Sequence, residues 1–260
     1  MILMHYFKRM LREPLAILIY VFLPMVLVIL NVVLNVGIFE NPDDQMLNGY
    51  SMMATGIMTI IMVMFQFMGG ALIIDYYYRD FRDAKRWRLL ASPAPLGKFI
   101  FAGMLACVVF SVVSGALIIG VSVIFLDAYM YNPVFLVAVL ILMAVFSQLL
   151  GLLLSLFGLK KATAETIATV FPFAMVVPAG HMFVNLRLGG ALDFFFERVT
   201  PYAQALNALL YSSSLGGDLF GNQGFVGADM GMALLNLGTL AATTLAMGIA
   251  VAVVARRRSF

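Results

Sequence analysis

The stretch RDFRDAKRWRLLASPAP, Arg79 to Pro95, separates two of the longest apolar runs of the chain. It holds five of the 16 lysines and arginines in a sequence of 260 residues that is 63% hydrophobic. Each base would cost about 2.5–3.5 kcal/mol at the centre of a bilayer. We therefore expect this polar stretch to lie in the cytoplasm, and the apolar runs on either side of it to lie in a membrane.

The composition supports the same conclusion for the whole chain. Charged residues make up 11% of it, whereas soluble globular domains carry about 25%. This excludes a soluble globular protein and predicts an all-α integral membrane protein, with one domain over residues 1–260. The single cysteine, Cys107, lies inside an apolar run and indicates neither a disulfide nor a metal cluster. We expect no metal and no other cofactor in this chain.

Six apolar segments are long enough to cross the membrane, since a helix needs about 20 residues to span roughly 30 Å of hydrocarbon. The predicted spans are Leu15–Phe39, Tyr50–Ile74, Phe99–Leu126, Val134–Leu159, Thr166–Val184 and Met230–Ala255. Between the last two spans, Pro201 follows Thr200 and can open a helix. We predict short helices in this region that enter the outer leaflet.

The distribution of bases orients these spans. If the amino terminus is cytoplasmic, fourteen of the 16 bases lie on the cytoplasmic side, and only Arg187 and Arg198 lie outside. Positive residues accumulate on the cytoplasmic side of membrane proteins. The pattern predicts a multi-pass protein of the cell membrane, of a bacterial inner membrane in particular, with both termini in the cytoplasm.

Residues 1–13 predict an amphipathic helix in the inner interface of the membrane. Apolar side chains recur there at helical spacing, and bases occupy the other faces: Leu3, Tyr6, Phe7, Met10 and Leu11, with Lys8, Arg9 and Arg12. Such a helix places its bases near anionic lipid headgroups. The alternative is a frayed basic terminus that serves only to orient the protein. Pro14 is predicted to break the helix before the first span.

The polar stretch also has the pattern of a short amphipathic helix. Tyr77 and Phe81 fall on one arc of a helical wheel and Arg82 falls on the opposite side. Asp75 and Arg79 have the acid-first i, i+4 spacing that stabilises a helix. A helix with both charge signs and aromatic residues predicts a docking surface for a soluble partner. The alternative is that its bases serve only as an orientation signal.

Three segments carry a resemblance to a known family. They are LLASPAPLGKFIFAGMLA at Leu89–Ala106, FPFAMVVPAG at Phe171–Gly180 and VTPYAQALNALLY at Val199–Tyr211. In these segments, and in the order of its interfacial helix, spans and loops over all 260 residues, the chain resembles the permease subunit of type-2 ABC exporters.

The resemblance implies a permease that dimerises with a second copy or a homologue and docks on two cytoplasmic ABC ATPase subunits. ATP and Mg would be bound by those ATPases. The polar stretch would be the coupling helix, touching the ATPase through Asp80, Phe81, Arg82, Asp83, Lys85, Arg86, Trp87 and Arg88. The interfacial helix would contribute Tyr6, Phe7, Lys8, Arg9 and Arg12. Outward transport of an amphiphile, such as a drug, a peptide or a lipid-like molecule, is the implied function.

The resemblance also implies that spans two and five line the substrate path at the dimer axis. Their methionines and aromatic residues suit a bulky amphiphile, because the methionine side chain adapts to irregular shapes. The candidates are Met58, Met62, Phe65, Phe171, Phe173 and Met175. The alternative is that these side chains only pack against other helices or face lipid.

The sequence contains no GxxxxGK[ST] motif, so we expect no ATP site and no enzymatic activity in this chain. We expect no nucleic acid partner either. The first alternative is an ion-coupled secondary transporter, although no carboxylate lies near the middle of a predicted span. The second is an intramembrane enzyme or a scaffold, and for an enzyme the sequence offers no nucleophile with a matching base.

Overall fold

A computed structural model describes residues 2–36, 46–82, 91, 95–129, 132–176, 190–212 and 229–257. The regular secondary structure in these residues is helical throughout. Five helices are long and apolar enough to cross a membrane: Pro14–Leu34, Ala54–Arg82, Leu96–Leu126, Pro133–Leu156 and Met230–Arg257. The prediction of an all-α protein of membrane type is confirmed. Of the predicted fifth span, Thr166–Val184, residues 177–184 lie outside the described part of the chain, so six spans remain a prediction.

The helices are numbered in chain order. The first five are α1 (Ile2–Leu11), α2 (Pro14–Ile17), α3 (Leu23–Val36), α4 (Met46–Met68) and α5 (Gly70–Tyr77), with π-helical segments at Leu18–Phe22 and Tyr78–Arg82. The others are α6 (Leu96–Leu126), α7 (Pro133–Leu156), α8 (Lys161–Val176), α9 (Ala191–Phe194), α10 (Pro201–Ser212) and α11 (Met230–Arg257), with a π-helical segment at Phe195–Val199. The predicted break before Pro14 is confirmed, because α1 ends at Leu11 and Pro14 begins a new helix.

The helix Ala54–Arg82, named here the central helix, lies in the middle of the fold. In an apolar stretch of 18 residues of this helix 89% of the residues are buried, whereas the corresponding stretches of Pro14–Leu34 and Met230–Arg257 are 17% buried. Its α4 part packs against α3, α6, α7, α8 and α10, and its α5 part packs against α6, α7 and α8. The outer helices therefore enclose the central helix and turn apolar side chains such as Leu34 and Leu245 outward.

The hydrogen-bond pattern of the central helix changes at Gly69, while its backbone stays in the right-handed helical region. The Gly69 N–H donates to the carbonyl oxygens of both Phe65 and Gln66 at 3.2 Å. Beside this turn α5 and α7 meet with almost no side chain between them, since a Cβ added to Gly151 would lie 2.1 Å from the Gly70 oxygen. Small residues allow membrane helices to approach this closely. The turn and the glycine contact together fix the start of α5 against α7.

The central helix continues further than the second span was predicted to run. That span was predicted to end at Ile74, but the helical backbone continues to Arg82. The charges that suggested an end, Asp75 and Asp80, are instead paired with bases on other helices. The separate helix predicted for the polar stretch falls mostly on residues 83–90, which lie outside the described residues.

The short helix α10 begins at Pro201, as predicted. Thr200 caps it, because its Oγ1 accepts a hydrogen bond from the Ala203 N–H at 3.2 Å. Leu206 and Leu209 are fully buried, where α10 packs against α7 and α11. The predicted start of this helix is therefore confirmed, and its place in the outer leaflet stays a prediction.

Candidate functional site

A cluster of seven charged side chains joins three helices at the Arg82 end of the central helix. We call it the charged cluster, and its members are Arg9, Glu13, Asp75, Arg79, Asp80, Lys161 and Glu165. Arg9 lies in α1 and Glu13 in the turn after it. The central helix contributes Asp75, Arg79 and Asp80, and α8 contributes Lys161 and Glu165.

One half of the charged cluster attaches α1 to the central helix. Arg9 Nη1 lies 2.8 Å from Asp80 Oδ1, and Arg79 Nη1 lies 2.6 Å from Glu13 Oε1. The Arg9 guanidinium carbon also lies 4.9 Å from the centre of the Tyr76 ring, in a cation–π position. Because α1 with the turn after it supplies one base and one acid, and the central helix supplies the other two, the contact fixes the orientation of α1 as well as its distance.

The other half attaches α8 to the same helix. Asp75 forms an ion pair with Arg79, four residues further on, and its other oxygen accepts from Lys161 Nζ at 2.5 Å. Lys161 Nζ lies 3.6 Å from Glu165. The predicted i, i+4 pair of Asp75 and Arg79 is therefore confirmed. The sequence pattern did not predict that Asp75 also binds the start of α8.

Two groups of the cluster region have pKa values that follow from these contacts. Burial raises the pKa of Tyr6, and the neighbouring Asp80 carboxylate raises it further. The hydrogen bond to Asp75 raises the pKa of the Lys161 ammonium. The Tyr6 phenol is therefore a proton donor, and Lys161 is positively charged, throughout the physiological pH range.

The residues predicted to couple to an ATPase have different environments. Asp80 and Phe81 are buried, and Phe81 stacks on Tyr77 with ring centres 5.4 Å apart. Arg82 is exposed. Asp83, Lys85, Arg86, Trp87 and Arg88 lie outside the described residues. Within the described residues, Asp80 contacts α1 of its own chain, and Arg82 is the predicted coupling residue that faces outward.

The residues predicted for the interfacial helix follow the amphipathic pattern. Tyr6 is buried against the central helix, where its ring meets the Tyr76 ring edge-on at 6.0 Å. Phe7 is half-buried, and Lys8 and Arg12 are exposed. On the apolar side of α1, Tyr6 and Met10 thus pack against other helices, whereas Leu3 and Leu11 face outward.

The predicted substrate path divides into two parts. Met58, Met62 and Phe65 are buried in the core of the single chain, at 0%, 0% and 5% exposure. Phe171 and Phe173 on α8 are partly exposed, at 36% and 39%, and Met175 is half-buried. The buried side chains pack as core residues in this conformation, and their role in a path stays a prediction.

A second polar group lies within the helices, and the sequence analysis did not identify it. It consists of Gln66, Gly69, Ser111 and Gln148, and we call it the amide cluster. Gln148 Nε2 donates to the Gly69 carbonyl oxygen at 2.9 Å and to Ser111 Oγ at 3.4 Å. Gln66 Nε2 donates to the Ser111 carbonyl oxygen at 2.5 Å. The three side chains are at most 4% exposed.

The described residues contain no group of three or more histidine, cysteine, aspartate or glutamate side chains placed to hold a metal ion. A comparison of the chain with protein-family models finds no match, and a search of curated proteins finds no significant relative.

Proposed function

We propose that this protein is the permease subunit of an ATP-driven exporter, a membrane protein that dimerises and docks on separate ATPase subunits. It would move an amphiphile outward across the membrane. The observation that carries the proposal is the continuity of the central helix from the buried core into the polar stretch that begins at Arg79. A force applied to that stretch would act directly on the most enclosed helix of the fold.

The charged cluster supports this mechanism. It ties the Arg82 end of the central helix to α1 on one side, through Arg9 and Asp80, and to α8 on the other, through Asp75 and Lys161. Displacement of that end would therefore move all three elements together. Since the sequence has no P-loop motif, the energy would come from another chain, and a docking surface is what such a partner would need.

Co-purification tests the docking. A soluble ATPase should be recovered with the detergent-solubilised protein from its native membrane, and Arg82→Glu should lower its apparent affinity about tenfold, equivalent to about 1.4 kcal/mol. Arg82 suits this test because its side chain is exposed, whereas a change at Asp80 would disturb the fold. Arg257→Glu, an exposed charge reversal at the end of α11, is the matched control and should leave recovery unchanged. Full recovery with Arg82→Glu, combined with loss of transport, would contradict docking at this end.

A second candidate, an ion-coupled secondary carrier, is favoured by the amide cluster. Carriers of that kind bind their coupling ions at broken helices near the middle of the membrane, and the hydrogen-bond pattern of the central helix changes at Gly69, beside Gln66 and Gln148. Reconstituted protein without any ATPase separates the two candidates. Movement of an amphiphilic dye such as ethidium on a sodium or proton gradient alone would refute the exporter, and vanadate-sensitive transport that requires the ATPase would refute the carrier.

A further inference from the structure

Six exposed bases surround the Arg82 end of the central helix, and we call them the basic rim. They are Lys8 in α1, Arg12 in the turn after it, Lys98 in α6, Lys160 in the turn before α8, and Arg256 and Arg257 in α11. The carboxylates of the described residues at this end all belong to the charged cluster, and none of them forms an ion pair with a base of the rim. Within the described part of the chain, the basic rim is therefore a surface of positive charge alone.

One hydrophobic cluster brings the bases of the rim to the same end of the helix bundle. Its buried members include Tyr76 and Phe81 of the central helix and Tyr6 of α1. Four side chains that pack against this cluster are sequence neighbours of bases in the rim, namely Phe7, Phe99, Leu159 and Ala255. The bases of α1, α6, α11 and the turn before α8 therefore lie around a common core, and they point away from it because they are exposed.

On the two long helices of the rim, an exposed apolar side chain accompanies the base. Phe101 follows Lys98 by three residues on α6 and is 61% exposed, and Val253 precedes Arg256 by three residues on α11 and is 45% exposed. Residues three apart lie on the same side of a helix. In both helices the apolar residue lies further from the helix end than the base does. Each helix therefore presents a positive charge at its end and an apolar surface directly beside it.

This pairing of charge with apolar surface selects the partner. An acidic soluble protein would pair with the bases, but Phe101 and Val253 lie within helices that are long and apolar enough to cross a membrane. A free phosphate would supply charge and no apolar surface. An anionic phospholipid supplies both, a phosphate at the end of the helix and acyl chains along its apolar side. We propose that the basic rim binds anionic phospholipids, with their headgroups on its bases and their acyl chains on the neighbouring apolar side chains.

Quenching of a fluorophore by brominated lipid measures which lipid lies beside each helix. Val109 is exposed and lies about three turns from Lys98 on the same side of α6, and Ile249 is exposed and lies about two turns from Arg256 on the same side of α11. Val109→Cys and Ile249→Cys each accept a bimane label, because the buried Cys107 does not react in the folded protein. The labelled chain is reconstituted in vesicles of equal parts phosphatidylglycerol and phosphatidylcholine, with bromine on the acyl chains of one lipid or the other.

Brominated phosphatidylglycerol should quench both labels more strongly than brominated phosphatidylcholine does. The expected local preference for the anionic lipid is about fivefold for each base. It should fall as the salt concentration rises, because salt screens exposed charges. Equal quenching by the two brominated lipids at either label would overturn the proposal and leave an acidic surface of a soluble partner as the occupant of those bases.

Two variants connect the preference to the bases of the rim. Lys98→Gln should lower the preference about fivefold at the label on α6 and leave it unchanged at the label on α11. The double variant Arg256→Gln with Arg257→Gln should do the reverse, so each variant is the matched control of the other. All three side chains are exposed, and glutamine keeps them polar, so the fold should be retained. A preference that each variant leaves unchanged beside its own helix, or lowers equally at both labels, would contradict binding by these bases.

Lipid binding at the basic rim does not depend on the energy source for transport. The reconstituted vesicles contain this chain and no ATPase, whereas the docking proposal is tested by ATPase recovery. Failure of one experiment therefore leaves the result of the other intact.

Discussion

Neutralising each partner of the Arg9–Asp80 ion pair tests the contact that holds α1 on the central helix. The side chains are 19% and 9% exposed, and the atoms that join them are 2.8 Å apart. Removing one partner of a buried pair costs about 3–5 kcal/mol, because the other charge stays buried without compensation. Arg9 is partly exposed, and its Nε also lies 3.8 Å from Glu13, so we expect the loss of either partner to cost about 2–3 kcal/mol.

A double-mutant cycle isolates the pair. Arg9→Met keeps the apolar stem of the arginine, and Asp80→Asn keeps the shape of the aspartate. Each should destabilise by about 2–3 kcal/mol, while the double variant should cost about 3 kcal/mol rather than the sum, giving a coupling energy near 2 kcal/mol. In a chain of this size each single change should lower the unfolding midpoint by roughly 5 to 10 °C.

The chain provides its own reporter for this measurement. Cys107 is the single cysteine in the sequence and is fully buried, so a thiol-reactive fluorophore labels it only when the helices separate. Arg82→Met is the matched control. The exposed Arg82 guanidinium lies 4.9 Å from the centre of the Tyr78 ring, so this substitution should remove only a cation–π contact worth about 0.5–1 kcal/mol. A coupling energy below about 0.5 kcal/mol would refute the reasoning, because additive costs indicate independent side chains.

Two further predictions use the same assay. Gly151→Ala should destabilise the protein by about 2 kcal/mol, because the new Cβ would lie 2.1 Å from the Gly70 oxygen and the two helices would have to separate. Gly97→Ala is the control and should not destabilise it, because no atom lies within 4 Å of the new Cβ. Equal effects of the two substitutions would contradict the close contact. The hydrogen bond to Asp75 raises the pKa of Lys161 above 10.5, so the contribution of this bond to stability is complete below pH 10.5 and is lost as the pH rises through the pKa of the folded state. Lys161→Met should therefore remove this part of the loss of stability at alkaline pH. An unchanged dependence of stability on pH would refute the assignment.

The elements that the sequence predicted well depend on local patterns. Long apolar runs located five helices, and the i, i+4 spacing of Asp75 and Arg79 gave a real ion pair. Both signals are complete within one helix. The Arg82 end of the central helix was misjudged because charges in a sequence look like the end of a span, whereas Asp80 is held by a base 71 residues earlier in the chain. A pattern within one segment contains no information about that partner.

The amide cluster was missed for a different reason. Ionisable side chains are the usual sequence signal of a functional site within a membrane, whereas Gln66 and Gln148 are neutral residues within apolar runs. A single glutamine in a membrane helix is unremarkable alone, and only the packing of three helices brings Gln66, Ser111 and Gln148 together. The one sequence signal that could have found them is the Gly69-Gly70 pair three residues after Gln66, since adjacent glycines weaken a helix at that point.

The charged cluster and the amide cluster both include residues of the central helix, so a movement of that helix would affect both. Gly69 and Asp80 are eleven residues, or about 16 Å, apart along the central helix. At Gly69 the N–H is shared between the Phe65 and Gln66 carbonyl oxygens, and the Gly70–Gly151 contact holds the start of α5 against α7. A force on the Arg82 end would therefore act first on α5 and reach α4 through Gly69. Because Gly69 lies inside the amide cluster and its carbonyl oxygen accepts from Gln148 Nε2, a movement of α5 against α7 would also change the hydrogen bonds of that cluster.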